Sequence, residues 1–452
     1  MSNLFASLLS SSGALRAFDR SLATVQNNVT NASTPGYAKQ RQVLNALEFQ
    51  PERGLPGGVS AGERVSARDE YTERLVRDQQ NEYGQAQQLK VSLSDMEPIL
   101  DVTGQAGVPY ALSQLFQSFS LLSVSPNDAV ARQNVIDQAG QVARAFRTTA
   151  AGLEDASANA GRQIVSAVEG INRLAGLISD YNALIQRDVH NASDPSLDAN
   201  IHATLEELSE AAGVQVLKQE NGTYNLLLGG QTALVIGDRQ FKIAADTGSS
   251  AQSRILDASG ADVTAQVKTG RLGALLELKN DMIPNWLASL DTLASAVATK
   301  VNAQLQSGLD SQGNPGAALF TFQAATPARS LDVTAIDISQ LAAAAAGAPG
   351  GNGNALVLAG MGSSAQVGPF TFTGAYADLA AKFGRELSNA QQRQATAQQL
   401  LAQARAMRQD ESGVSLDEEA AQLIEFQRSY QAAARLITVL DDLTQSVLNL
   451  IH

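Results

Sequence analysis

The sequence contains no cysteine and only three histidines, His190, His202 and His452. Disulfides, thiol nucleophiles and cysteine-ligated metal centres are therefore excluded. Aromatic residues make up 5% of the chain, with a single tryptophan, Trp286, while alanine and glutamine abound. Ligand pockets rely on aromatic side chains, whereas long packed helices rely on alanine and leucine. This composition favours a helical structural protein over an enzyme, and no cofactor is expected.

Charged residues are also sparse, and acidic ones predominate. The 452 residues include 32 Lys and Arg against 45 Asp and Glu, which leaves a net charge of −13. A surface of that sign repels phosphates and anionic lipids, so neither nucleic acid nor a membrane is an expected partner. No apolar run reaches the ~18 residues of a membrane span, and the N-terminus does not resemble a cleavable secretory signal. From these features alone, a cytoplasmic location is expected.

Both ends of the chain carry a heptad pattern, which predicts helices with a narrow apolar seam. The predicted N-terminal seam runs along residues 4–29, and the predicted C-terminal seam begins at residue 423. The N-terminal seam consists of Leu8, Leu15, Phe18, Leu22, Val25 and Val29. The C-terminal seam consists of Leu423, Phe426, Tyr430, Ile437, Leu440 and Val447. A third C-terminal row, Leu436, Leu443 and Leu450, widens the apolar stripe beyond a two-helix seam.

Neither terminal helix is expected to be stable alone. Ordering the backbone costs ~1–2 kcal/mol per residue, whereas burying one leucine-sized side chain returns ~1.5–3 kcal/mol. With about two such side chains in every seven residues, both segments are expected to be disordered or fraying until pairing or assembly completes them.

The order of predicted elements is helices, a small β-rich insert and helices again, so the fold class is mainly α. We expect a long helical bundle, with coiled-coil helices from both chain ends. Predicted helices include 72–97 stopped by Pro98, 110–124, 127–187, 271–306 and 376–409, and strand-like runs include 370–372. The predicted domains are 1–45 with 412–452 as an assembly region, 46–213 with 270–411 as a helical core holding a mixed segment at 310–375, and 214–269 as a β-rich insert.

No catalytic or metal site is found in the sequence. His190 and His202 are twelve residues apart, without the spacing of a zinc motif, and are interpreted as surface histidines. Residues 310–316 faintly resemble a calcium loop, but Pro315 stands where that loop needs glycine, so a turn is predicted.

Residues 26–37, QNNVTNASTPGY, end the first helix in a defined way. Asn31 suits a left-handed helix cap, and Pro35 followed by Gly36 suits a type II turn. The amides of Asn27 and Asn28 are available to bind free backbone groups, with Thr34 and Tyr37 completing the motif. Replacing Pro35 and Gly36 with alanine is expected to impair assembly while leaving the melting temperature of the core nearly unchanged.

This motif resembles the N-terminal assembly motif of bacterial flagellar axial proteins, and residues 413–435 resemble their C-terminal partner. Residues 273–286, 290–294 and 308–320 resemble the hook-associated protein 1 family in particular. The order of these segments is that of the family, although the chain is short for it and has Asn-Val-Thr-Asn at 28–31 where Asn-Ile-Ala-Asn is commoner.

The resemblance implies a structural subunit that forms the junction ring between hook and filament, exported through the flagellar type III channel to the outside of the cell. It implies the hook protein, the second junction protein, further copies of this chain and an export chaperone on the C-terminal helix as partners. The C-terminal seam is expected to serve both chaperone and neighbour. Another axial subunit, the second junction protein or the hook protein, remains the alternative.

Overall fold

The protein is described by a computed structural model that covers residues 2–53, 55–100, 106–248 and 252–449. It is mainly α, as predicted, with long helices at both ends. The helices are α1 (Ser2–Asn31), α2 (Glu70–Leu100), α3 (Gly107–Val124), α4 (Ala129–Arg187), α5 (Pro195–Ala211), α6 (Gly270–Glu277), α7 (Ile283–Ser307), α8 (Pro327–Ser330), α9 (Gly353–Met361), α10 (Phe372–Ser412) and α11 (Leu416–Asn449).

The sheets are small and antiparallel. The strands are β1 (Gln40–Gln50), β2 (Leu55–Ser66), β3 (Val214–Lys218), β4 (Tyr224–Leu228), β5 (Thr232–Ile236), β6 (Arg239–Gln240), β7 (Ala244–Asp246), β8 (Arg254–Leu256), β9 (Phe320–Thr321) and β10 (Asp332–Val333). Strands β1 and β2 form one hairpin, β3 to β6 a four-stranded meander, and β7–β8 and β9–β10 two further pairs.

The chain divides into two compact units. The first contains residues 1–83, 170–243 and 397–452, and the second contains residues 84–169 and 244–396. The β-rich segment predicted at 214–269 is therefore shared between the two units, and the predicted boundary at 45/46 falls inside β1.

The second unit holds a continuous apolar core. Its buried side chains come from α2, α3, α4, α7 and α10, and include Phe119, Phe146, Trp286 and Phe383. The ring of Trp286 meets that of Phe383 edge-on at 5.3 Å between centroids. Pro284 lies in the first turn of α7, a position that its fixed φ and missing N–H favour.

Several predicted elements differ from the observed ones. The β1–β2 hairpin was not predicted, because its residues lack a clear alternation of apolar and polar types. Helix α2 continues through Pro98 to Leu100, since a proline in the last turn removes one helical hydrogen bond only. The strand predicted at 370–372 is wrong, because Phe372 is the first residue of α10, where it packs flat on Phe116.

The two terminal helices pack on each other within one chain. Because α1 ends and α11 begins at the same place, they run antiparallel. In α11, only Glu419 and Ala433 are buried among the described side chains, whereas α1 buries Ala17, Ser21, Thr24, Val25 and Asn28. The two terminal helices therefore pair without a second copy, although the pairing buries few side chains of α11. The expected fraying of the free ends stays a prediction.

Among the described residues, no helix is both long enough and apolar enough to cross a membrane.

Candidate functional site: the crossing of three chain segments

The predicted turn after α1 is present. The amide of Tyr37 donates to the carbonyl oxygen of Thr34 at 3.1 Å, which places Pro35 and Gly36 at the two central positions. Gly36 has a φ of +73°, as the third residue of a type II turn requires. A Cβ on Gly36 would also overlap the carbonyl oxygen of Ala199 in α5. Glycine is required here by its backbone conformation and by the close approach of α5.

Asn28 lies at the centre of the site and is almost completely buried. Its Nδ2 donates to the carbonyl oxygen of Gln40 at 2.9 Å and to Oε2 of Glu419 at 3.0 Å. Its Oδ1 accepts from the amide of Gln40 at 2.9 Å. This one side chain therefore joins the end of α1 to the start of β1 and to the first turn of α11.

Tyr37, the last residue of the turn, hydrogen-bonds the two neighbouring asparagines. Its hydroxyl is 2.8 Å from Oδ1 of Asn27 and 2.9 Å from Oδ1 of Asn28. Because amide oxygens are acceptors and never donors, the Tyr37 hydroxyl is the donor in both contacts. Burial and the nearby Glu419 carboxylate raise the pKa of Tyr37 to about 12, so the hydroxyl keeps its proton and remains a donor.

Lys39 provides the charge that balances the acidic start of α11. Its Nζ lies 2.9 Å from Oε2 of Glu418 and 3.1 Å from Oε1 of the buried Glu419. Burial of Lys39 opposes its charge, but these two carboxylates outweigh it and raise the pKa of the ammonium group. Glu418 and Glu419 also lie in the first turn of α11, where the helix dipole favours negative charge.

Ser412 ties the end of α10 to the other two segments. Its carbonyl oxygen accepts from the amide of Lys39 at 2.8 Å, and its hydroxyl donates to the carbonyl oxygen of Ala67 at 3.1 Å. The amide of Ala67 in turn donates to the carbonyl oxygen of Lys39 at 2.8 Å. We call this place the crossing, defined by Asn28 and the three segments 37–40, 66–69 and 412–419.

Arg68 fixes the turn to the helices beside it. Its Nη2 donates to the carbonyl oxygen of Gly36 at 2.6 Å and to Oδ2 of Asp198 at 2.7 Å, and its Nη1 bonds Glu73. The side chains of Arg68, Glu73 and Asp198 are largely buried, so the planar guanidinium sets the position of the turn relative to α2 and α5.

Glu73 is surrounded by basic side chains. Burial opposes its ionisation, but His202, Arg68 and Arg408 together lower the pKa of this carboxyl to about 2. The Oε2 atom is 3.5 Å from Nδ1 of His202 and 3.4 Å from Nη1 of Arg408.

The interpretation of His202 as a surface histidine is wrong. The side chain is fully buried, with Nε2 at 3.3 Å from the hydroxyl of Tyr224 and 3.7 Å from Oδ1 of Asp198. It belongs to the polar interior between α2, α5 and β4, which its sequence neighbours do not reveal. Among the described residues, no three acidic or histidine side chains are grouped so that they could hold a metal ion.

Two further residues of the predicted motif act locally. Nδ2 of Asn31 donates to the carbonyl oxygen of Asn27 at 3.0 Å, and the Thr34 hydroxyl donates to Oδ1 of Asn31 at 3.2 Å. Both hydrogen bonds close the last turn of α1, and neither of them joins α1 to another element.

The structure also places the predicted seams. Leu8, Leu15, Phe18 and Leu22 are half-buried and Val25 is buried, but Val29 is 42% exposed and lies outside the contact. Asn28 takes the inward position at this end of α1. The six predicted C-terminal seam residues, Leu423, Phe426, Tyr430, Ile437, Leu440 and Val447, are all half-buried.

Sequence reasoning missed Lys39, Arg68, Ser412 and Glu419. The paired glutamates at the start of the last helix were a visible signal for a cationic partner. Nothing local indicated that Lys39 is that partner, since 379 residues separate it from Glu418.

Comparison with known proteins identifies the family. The flagellar hook-associated protein FlgK helical domain matches residues 93–320, just over half of the chain. The chain belongs to the FlgK family. A second family, the C-terminal domain of flagellar basal body rod FlgEFG proteins, matches residues 408–450, which include part of the crossing and α11.

Individual FlgK relatives extend this match. "Flagellar hook-associated protein 1" of Bacillus subtilis is 25% identical over 99% of both chains. The protein of the same name from Salmonella typhimurium is 28% identical over 68% of this chain, and the match spans 58% of that relative. The solved structure of the flagellar hook junction protein FlgK from Burkholderia pseudomallei shares the fold, with a TM-score of 0.67 and 16% identity over 76% of this chain and all of that one. The chain is thus a flagellar hook-associated protein, a structural component of the bacterial flagellum.

Replacing Asn28 with aspartate should weaken the joint between α1 and α11. The new carboxylate would face Glu419 and could not donate to Gln40, and a buried polar group without its partner costs about 1–3 kcal/mol. We expect Asn28→Asp to lower the unfolding free energy of the first unit by at least that amount in urea titrations. Asn27→Asp is the matched control. The side chain of the exposed Asn27 accepts a hydrogen bond from Tyr37, and a carboxylate can accept the same bond. Adding Glu419→Gln should restore part of the loss, and equal stability of the two single variants would refute the role of Asn28.

The contact of Gly36 with α5 changes the expectation for the turn. Gly36→Ala should lower the melting temperature as well as impair assembly, because the new methyl group meets backbone rather than a movable side chain. Gly313→Ala is the control, with a φ of +83° and nothing within 4 Å of the added Cβ. The left-handed conformation costs a non-glycine residue about 1–2 kcal/mol at either position. Thermal melts should show a clearly larger loss at Gly36, and equal losses would argue against the contact.

The first unit should lose stability in acid as Glu73 is protonated. The folded pKa of about 2 lies below the ordinary value of 4.5, so the stabilisation is complete above pH 4.5 and falls away between pH 4.5 and 2. Glu73→Gln should be less stable at neutral pH and should show a shallower pH dependence in that window. Glu82→Gln, at an exposed position of the same helix, is the control. Urea titrations from pH 2 to 7 test this, and identical slopes for Glu73→Gln and the unaltered chain would contradict it.

Proposed function

We propose that this chain forms the junction ring between hook and filament and is built into it through α1 and α11. The support is a single observation on α11, which packs on α1: the residues of its seam are half-buried, yet a second apolar row on the same helix is left open. Leu436, Val439 and Leu443 are 56%, 54% and 48% exposed, at helical spacings of three and four residues. We call these three residues the outer row. An apolar stripe of this kind on a finished helix pair is typical of a further docking surface.

The hook protein, the second junction protein and further copies of this chain are the partners that we assign to the terminal helices. The support for a structural rather than an enzymatic role is membership in a family of flagellar structural proteins. The match to the FlgK helical domain favours this chain as hook-associated protein 1 over the hook protein or the second junction protein.

Export through the flagellar type III channel to the outside of the cell follows from that role. An export chaperone would bind the C-terminal seam, Leu423, Phe426, Tyr430, Ile437, Leu440 and Val447. Because α1 covers these residues in the paired state, the chaperone and α1 would compete for one face of α11. A chaperone-bound chain would therefore have its terminal helices apart, which would delay assembly until export is complete.

The outer row provides the test of assembly. Leu436→Glu combined with Leu443→Glu leaves the covered seam intact, so the purified chain should melt within a few degrees of the unaltered one. Cells carrying only this variant should be non-motile, with hooks that lack filaments and with filament protein released into the medium. Leu121→Glu, at an exposed position of α3, is the control and should swim normally. Normal motility of the outer-row variant would refute assembly through α11.

A further inference from the structure

The sheet β3–β6 is fixed to α4 by the side chains of two asparagines. Nδ2 of Asn182 donates to the carbonyl oxygen of Tyr224 at 2.8 Å, and its Oδ1 accepts from the amide of Tyr224 at 2.9 Å. The same Nδ2 also donates to the carbonyl oxygen of Gly237 at 2.6 Å. Asn172 binds both backbone groups of Ile243 in the same way, at 2.8 Å and 3.0 Å. Each amide side chain thus takes the place of a neighbouring strand.

Among the described residues, this two-point contact recurs at three other strands. The pairs are Asn28 with Gln40, Asn280 with Ser253 and Asn302 with Phe320, at distances between 2.7 and 2.9 Å. In all five pairs the bound residue is buried, and it is the first residue of a strand or directly precedes one. Because buried backbone groups need partners, each asparagine fixes where its strand begins on the helix.

Tyr224 connects this sheet to α5. Its ring meets that of His202 edge-on at 5.9 Å between centroids, and its hydroxyl is 3.3 Å from Nε2 of His202. Burial raises the pKa of Tyr224, so the hydroxyl keeps its proton. Both side chains are buried, so an imidazole that lost this hydroxyl could not bind water in its place without moving. The position of His202, and of α5 with it, therefore depends on Tyr224.

Helix α5 lies directly against the turn at residues 34–37. A Cβ on Gly36 would overlap the carbonyl oxygen of Ala199 and would lie 3.1 Å from the amide nitrogen of Ala203. His202 directly precedes Ala203 and follows Ala199 by about one helical turn. The stretch of α5 that supports the turn is thus the stretch that Tyr224 holds.

The ion pairs of Arg68 provide a second connection between His202 and the turn. Both acidic partners of Arg68 also flank the imidazole, with Oδ1 of Asp198 at 3.7 Å and Oε2 of Glu73 at 3.5 Å. Nη2 of Arg68 donates to the carbonyl oxygen of Gly36 at 2.6 Å. A displaced imidazole would therefore disturb the turn through these carboxylates as well as through the backbone of α5.

We propose that the sheet β3–β6 positions the turn at 34–37, with Asn182 and Tyr224 as the positioning residues. Asn182 fixes Tyr224 on α4, Tyr224 holds α5 through His202, and α5 supports Gly36. All of these residues belong to the first unit, together with both chain ends. The consequence for assembly rests on the proposed function, in which the chain is built into the flagellum through its ends. The β-rich segment then has a role in assembly without contacting a partner.

Tyr224→Phe tests the proposal, because it removes the hydroxyl and keeps the ring. Hydrogen exchange of the purified full chain is followed by mass spectrometry in residues 33–40, where the amides of Thr34, Tyr37 and Lys39 donate hydrogen bonds. We expect exchange in this segment to become at least about ten times faster, while β4 and β5 exchange as before. Tyr71→Phe, at a position of α2 that is 70% exposed, is the matched control and should change neither segment.

Asn182→Asp tests the first step of the proposal. The carboxylate cannot donate to the carbonyl oxygens of Tyr224 and Gly237, so exchange should become faster both in β4 and in residues 33–40. Asn159→Asp, at an exposed position of α4, is the control. If Asn182→Asp does not fold, Tyr224→Phe alone decides.

Two results would overturn the proposal. One is unchanged exchange in residues 33–40 of Tyr224→Phe. The other is an equal increase across the hairpin β1–β2 in that variant, because the whole first unit would then have loosened. A stability cycle adds an independent check: Tyr224→Phe and Gly36→Ala together should cost less in urea titrations than the sum of their separate losses, since both weaken the contact of α5 with the turn. Additive losses would contradict the proposal.

Assembly is measured separately from positioning. Cells carrying only Tyr224→Phe should form fewer filaments than cells carrying Tyr71→Phe. Faster exchange at 33–40 with normal filaments would leave the positioning standing and reject the role of the turn in assembly. Unchanged exchange, together with loss of filaments in the outer-row glutamate variant, would leave the junction role standing and reject only the positioning by the sheet.

Discussion

The hydrogen bonds of Asn28 are the contact on which the arrangement of the terminal helices depends. A buried amide that donates to Gln40 and Glu419 and accepts from Gln40 uses its polar atoms in one geometry only. Because buried polar groups are costly when unpaired, this geometry is strongly selected over alternatives. The apolar seam beyond it provides attraction without a defined position, since one leucine can replace another along a heptad. The polar contacts at the crossing therefore set the position of the helices, and the apolar contacts along the helices hold them together.

The crossing also explains why the two chain ends work together. Lys39 is distant in sequence from Ser412 and Glu419, yet its bonds to them join the start of β1 to the end of α10 and the first turn of α11. The direction in which α1 leaves the crossing therefore determines the position of α11. The ion pairs of Arg68 with Glu73 and Asp198 also fix the positions of α2 and α5 within the same unit.

The sequence predicted most helices, the type II turn and the pairing of the ends, because each has a local or periodic signal. Leu423 to Val447 follow a regular heptad, and the half-buried residues of α11 repeat it. The N-terminal seam was predicted less well, because Asn28 and the small residues Ala17 and Ser21 fill inward positions where the pattern sought large apolar ones. The ion pair of Arg68 with Asp198 and the contact of His202 with Glu73 join residues more than a hundred positions apart, so no single segment shows them. The β1–β2 hairpin is local, but its residues lack the alternation of apolar and polar types that would have predicted it.

Hydrogen exchange on the purified full chain, without any partner, measures the central claim most directly. At the crossing Asn28, Lys39, Gln40, Ser412 and Glu419 are buried, whereas no described side chain of α11 beyond Ala433 is buried. The account therefore predicts that amide protection in α11 is highest near Glu419, decreases past Ala433 and is close to absent at the outer row. In assembled flagella the protection should extend to the outer row. Strong protection through the whole of α11 in the isolated chain would contradict the account, because the helix pair would then be complete without a neighbour.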